Sequence, residues 1–169
     1  EIDAVVDRIA RDPRLFTFLS ACAPDALTRL GDARMVLAQE GHQPRYDILV
    51  IDAYGSDAVP MHLTTHEAMR LYLDRLAPDG VLLYHISNRY YEIERPLARS
   101  AAALGLAARI QDYPGHVETD PGDMPSRVVM LARSEAALGP LARDPRWTGL
   151  APDGGPVWTD DFADLLSIL

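Results

Sequence analysis

Residues 46–63 read YDILVIDAYGSDAVPMHL. The apolar run 48–51 has the look of a buried strand, and it stops at Asp52. A loop follows with an aromatic, a glycine, a second acid at Asp57 and a proline at Pro60. In an open α/β sheet, ligands bind in the crevice beyond the carboxyl ends of the strands, so an acid at that edge is placed to do chemistry. The plainer alternative is that Asp52 only forms a turn, as Asp often does.

Working outward, strands and helices alternate on both sides of this stretch. Upstream, 1–3 resembles the end of a strand, and 4–10 has helical spacing at Val5, Val6 and Ile9. Residues 14–22 suggest a packed loop or short helix, 27–30 a short strand ending at Gly31-Asp32, and 33–40 a helix closed by Gly41. Downstream, Thr64 and Glu67 form a capping-box pattern for a helix reaching about Leu76, and 78–80 make a turn. Residues 81–86 are nearly all apolar, as in a strand covered on both faces. A helix at 92–104 ends at Gly105, strands follow at 106–113 and 127–132, and a short helix is expected at 135–141. Thr159 and two acids open a last helix at 162–169. The pattern predicts an α/β layered fold with a mainly parallel sheet and one antiparallel edge strand.

With 169 residues, the chain has the length of a single domain with a real core. Its net charge of −9 argues against nucleic acid and favours cationic ligands. All 16 basic residues are Arg, which removes phosphate-loop and Schiff-base lysine chemistry. One cysteine, Cys22, excludes an internal disulfide and a cysteine-cluster zinc site, and it suits a reducing, cytoplasmic setting. No apolar run approaches a membrane span.

Six segments carry a resemblance: EID at 1–3, TFLS at 17–20, GDAR at 31–34, YDILVIDAYGSDAVPMHLTTHEA at 46–68, LAPDGVLLYHISNRYY at 76–91 and VWTDDF at 157–162. In order and spacing they resemble the polyamine aminopropyltransferases, the spermidine synthase family, within the S-adenosylmethionine-dependent methyltransferase superfamily. The subgroup it looks most like is a bacterial one in which this domain follows a transporter-like membrane region. The resemblance implies a Rossmann-like methyltransferase fold whose first strand and Gly-rich loop lie outside this chain, so these residues are expected to be the C-terminal part of a longer protein.

The resemblance also implies roles. Glu1 matches the acid on the ribose hydroxyls, Asp32 the acid beside the adenine amino group, and Ala33 a contact to the ring. Asp52 matches the catalytic acid that orients and deprotonates the attacking amine. Asp57 matches a second acid that holds the substrate amine; from their places in the chain, Tyr54 in the same loop is expected to lie over the cofactor or wall the acceptor site, and His85, at the end of the next strand, to contact substrate. The co-substrate implied is decarboxylated S-adenosylmethionine, or S-adenosylmethionine itself, with a small amine as partner and no metal. A homodimer, and a membrane region elsewhere in the parent chain, are compatible with the same resemblance. The loop from Asp52 to Pro60 departs from the family pattern in the spacing of its acids, which leaves the acceptor's identity open.

Other readings attach to the same residues. Asp32 suits a helix cap, and Asp160 and Asp161 suit the positive end of the last helix. His62 and His66 are four apart, but the helix is expected to start between them, and metal sites need three or four convergent ligands. Two competing functions stand beside aminopropyl transfer: a methyltransferase with an unknown acceptor, and a non-catalytic sensing domain attached to a transporter.

Overall fold

The computed structural model describes residues 1–41, 46–53, 60–88 and 90–169. The chain divides into two compact units, Glu1–Gly41 and His42–Leu169. No helix among the described residues is long and apolar enough to cross a membrane.

The first unit holds three short helices: α1 (Ala4–Ala10), α2 (Phe18–Cys22) and α3 (Ala33–Gln39). Asp3 caps α1 by accepting from the Val5 amide, and Asp32 caps α3 by accepting from the Met35 amide. The strands expected at 1–3 and 27–30 do not form. Among the described residues they meet at Glu1, whose amine donates to Arg29 O (3.2 Å) and whose carbonyl accepts from Gly31 N (2.9 Å). That is the bonding pattern of a parallel pair. Within 14–22 the short helix forms, as α2, but the segment is not packed: Phe16 and Phe18 are exposed and meet edge to face, with centroids 6.1 Å apart.

The second unit is built on a sheet of β1 (Tyr46–Ile51), β2 (Leu76–His85), β3 (Ala107–Tyr113), β4 (Ser126–Ala132) and β5 (Thr148–Gly149), in the order β1-β2-β4-β3-β5. β1 and β2 run parallel, whereas β4 is antiparallel to both β2 and β3. The α/β architecture is as expected, and the two-residue β5, antiparallel to β3, stands at an edge of the sheet; a second reversed strand, β4, lies inside it. β4 follows β3 through the 114–125 loop, pairs back along it, and so comes to lie between β3 and β2.

Helices α4 (His66–Arg75) and α5 (Glu94–Ala103) supply the second layer. Along β2 the side chains alternate. Leu82, Tyr84 and Ile86 are fully buried, and Tyr84 meets Tyr72 of α4 at 6.3 Å between ring centroids. Val81 and Leu83 turn to the other face, against Met130, Ala132 and Leu138. β1 is less buried than its composition suggests, because it stands at the end of the strand order. Ile51 is buried, but Ile48 and Val50 are exposed.

Several boundaries move for identifiable reasons. Thr65, not Thr64, caps α4: Thr65 has extended backbone and accepts from Ala68 N, while the Thr64 hydroxyl donates back to Met61 O (2.8 Å). The expected turn at 78–80 is absorbed into β2, where the register with β1 shifts between Tyr46 and Ile48. The helix expected at 135–141 is replaced by a 3-10 turn at Gly139–Arg143, since Gly139 has φ +58 and Pro140 follows. The last helix shrinks to a 3-10 turn at Leu166–Ile168. Thr159 bonds to Phe162 instead of capping, and Asp160 serves a different helix. Its carboxylate accepts from the Thr65 hydroxyl (2.8 Å), and its amide donates to Glu67 (3.0 Å). The WTDDF segment thus pins the N-terminus of α4, an end that favours negative charge.

The segment before it is clamped by α5. The Arg99 side chain, only 4% exposed, forks onto both oxygens of Asp153 (2.5 and 2.6 Å) and donates to Pro156 O (3.2 Å). The Arg99 guanidinium holds the Asp153 carboxyl well below the usual carboxylate range, and Arg146 lowers Asp144 to about 2. Depressed carboxylate values stabilise the fold above the unfolded value of about 4, and that stabilisation is lost as pH falls through the folded value. The melting temperature should therefore fall steadily below about pH 4. In Asp153→Asn the acid limb should be flatter; an identical slope in variant and parent would show that this clamp does not couple to protons.

Candidate active site

Asp52 is placed by the parallel register. Ile51 pairs with Tyr84, so the next residues along, Asp52 and His85, fall side by side at the carboxyl ends of β1 and β2. Asp52 Oδ1 lies 2.8 Å from His85 Nδ1, with the two side chains 57% and 32% exposed. His85 Nε2 lies 2.7 Å from Ser87 Oγ, which accepts from the Arg127 amide at 2.8 Å. Ile86 N donates to Arg127 O (2.9 Å), tying the end of β2 to the start of β4.

Ser87 also lines a cavity of about 520 Å³ together with Ile86, Tyr91, Tyr113, Met124 and Arg127. Its walls come from the carboxyl ends of β2 and β3 and the amino end of β4, the rim that carries Asp52. Arg127 is held by Glu94 (2.8 Å) and Asp112 (2.6 Å). Tyr113 donates to Asp123 (2.8 Å), a bond to the neutral hydroxyl that raises its pKa and keeps it a donor. Asn88 closes the loop by accepting from the Tyr90 and Tyr91 amides.

Of the sequence candidates, Asp52 and His85 are brought into direct contact. Tyr54 and Asp57 lie outside the described residues. Glu1, Asp32 and Ala33 belong to the first unit. Glu1 there accepts from Asp3 N (2.8 Å), and its carbonyl bond to Gly31 sets it beside Asp32. Asp32 accepts from Met35 N (3.0 Å), as the capping reading required, and Ala33 opens α3 exposed. His62 sits in the 3-10 turn Met61–Leu63 and His66 opens α4, so the pair is split between two elements. Sequence reasoning gave Ser87 no role. The signal was present in His85-x-Ser87, because alternate residues of an extended segment share a face.

A mixed sheet layered with helices, with an acid on its carboxyl rim, defines an α/β fold of the kind that binds ligands at its strand ends. Among solved structures the chain resembles a probable spermidine synthase from Corynebacterium glutamicum ATCC 13032, with a TM-score of 0.61, 18% identity, and 98% of this chain and 63% of that chain covered. It also resembles the spermidine synthase from Thermotoga maritima, with a TM-score of 0.58, 16% identity, and 95% and 53% covered.

In sequence it is similar to the polyamine aminopropyltransferase of Vibrio vulnificus (strain CMCP6), 33% identical over 105 residues. That match takes in 59% of this chain and 33% of the relative, so the chain spans about a third of the curated relative's length. No family model matches. The chain is spermidine synthase-like in both sequence and fold.

Proposed function

We propose that the protein transfers an aminopropyl group from decarboxylated S-adenosylmethionine to a small amine. The amine nitrogen attacks the propyl carbon attached to the sulfonium, the carbon–sulfur bond breaks, and methylthioadenosine leaves. The amine arrives as an ammonium ion and must lose a proton before its lone pair can attack. Asp52 orients the amine, accepts that proton and stabilises the developing charge. The sulfonium is already an activated leaving group, so the step asks for no metal.

The observation that carries the reading is the Asp52 carboxylate on the sheet rim. It is exposed and paired with His85, in a chain 33% identical over 105 residues to a polyamine aminopropyltransferase. Glu1 would accept from the ribose hydroxyls and Asp32 from the adenine amino group, with Ala33 against the ring. A carboxylate has about four acceptor sites, so the local bonds made by Glu1 and Asp32 do not exclude these contacts. Tyr54, Asp57 and His85 would face the amine. The net charge of −9 suits a cationic acceptor, and the reaction goes with a cytoplasmic setting.

The test incubates the full-length protein with decarboxylated S-adenosylmethionine, or with S-adenosylmethionine, and a panel of diamines. Methylthioadenosine formed only with the decarboxylated reagent supports the proposal. S-adenosylhomocysteine as the sole nucleoside product would sink it in favour of methyl transfer.

A further inference from the structure

We infer that His85 and Ser87 are positioning residues for Asp52, forming a one-way relay of hydrogen bonds anchored on β4. The inference rests on the reading in which Asp52 serves the amine. An ionised carboxylate only accepts, so the 2.8 Å contact between Asp52 Oδ1 and His85 Nδ1 puts the proton on Nδ1. The neutral ring then has its lone pair on Nε2, where Ser87 Oγ stands at 2.7 Å and donates its hydroxyl proton. Ser87 Oγ accepts in turn from the Arg127 amide at 2.8 Å. Each donor in the series points toward the carboxylate, an arrangement in which successive bonds polarise one another.

The start of the relay is fixed by the sheet. Arg127 lies in β4, and its carbonyl accepts from Ile86 N at 2.9 Å. Backbone atoms therefore hold Ser87, Ser87 supports the imidazole tautomer that the Asp52 carboxylate demands, and the imidazole sets the plane of Asp52. The donor is neutral, and that matters for an amine substrate. An Arg or Lys in its place would orient the carboxylate equally well but would offset its negative charge. A neutral Nδ1–H occupies Oδ1 and leaves that charge to attract the ammonium and take up its proton. Partners of this kind fix the tautomer and the orientation of the ring.

The test has two readouts on the full-length protein. Nitrogen-15 NMR of the imidazole at about pH 8, above the ordinary histidine range, should show His85 as the Nδ1–H tautomer. In Ser87→Ala the preference for that tautomer should weaken. The turnover number should fall about tenfold to a hundredfold, the usual cost of losing such an outer partner, with KM for the amine little changed. His85→Asn, whose side-chain amide can replace Nδ1–H, should recover most of what His85→Ala loses. A resting Nε2–H tautomer would overturn the relay, as would a Ser87→Ala protein with unchanged tautomer and unchanged turnover. If the protein transfers no aminopropyl group at all, the proposed function fails, while the tautomer and its response to Ser87→Ala still decide the relay.

Discussion

Asp52→Asn in the full-length protein is expected to lower kcat for aminopropyl transfer by about 10²–10⁴-fold, the range for removing a positioned general base. The side chain keeps its size, so the effect should be chemical. Asp52 is more than half exposed, and exposed pairs contribute at most about 1 kcal/mol to stability, so the melting temperature should hardly move. Loss of activity with an unchanged melting temperature is the expected combination. An Asp52→Asn protein with normal turnover would rule out a catalytic acid at this position and favour a non-catalytic sensing domain. Part of the loss should be recovered at higher pH, where the amine is already neutral and needs no base.

Trp158→Ala is expected to have the largest effect on stability, about 3–5 kcal/mol, as for other fully buried aromatics. In a protein of this size that corresponds to a fall in melting temperature of roughly 10 °C. Trp158 is completely buried. Its carbonyl accepts from His66 N (2.9 Å), and two residues on, Asp160 bonds to Thr65 and Glu67. Emptying this site therefore opens a cavity and also loosens the segment that pins α4. Trp158→Phe should cost much less. The indole Nε1 is buried with no hydrogen-bond partner among the described residues, and removing an unsatisfied donor offsets part of the lost volume. Equal losses from Ala and Phe, measured by thermal or urea unfolding, would show that the indole N–H is satisfied in solution.

The parts of the fold legible in the sequence are those with a local cause. α1 begins after an Asp cap, α3 lies between Asp32 and Gly41, and α5 ends before Gly105, which has φ +68. β3 and β4 lie within a residue of the bounds the sequence suggests, and in β4 the apolar, β-branched stretch accounts for it. The misplaced elements depended on distant partners. The segment at 162–169 has helical spacing and an apparent cap, yet its acid is taken by Thr65, nearly a hundred residues away in sequence.

The site divides in the same way. The sequence by itself determined that Asp52 ends an apolar strand, that His85 lies at the end of the next one, and that a chain without Lys has no phosphate-loop or Schiff-base lysine. Each of these is a property of neighbouring residues or of composition. Only the tertiary structure decided that the two strands are parallel neighbours in a register that sets Asp52 beside His85, and that β4 inserts beside β2 to hold Ser87. Register and strand order follow from which surfaces bury together across the whole sheet, and no local stretch of chain carries that information.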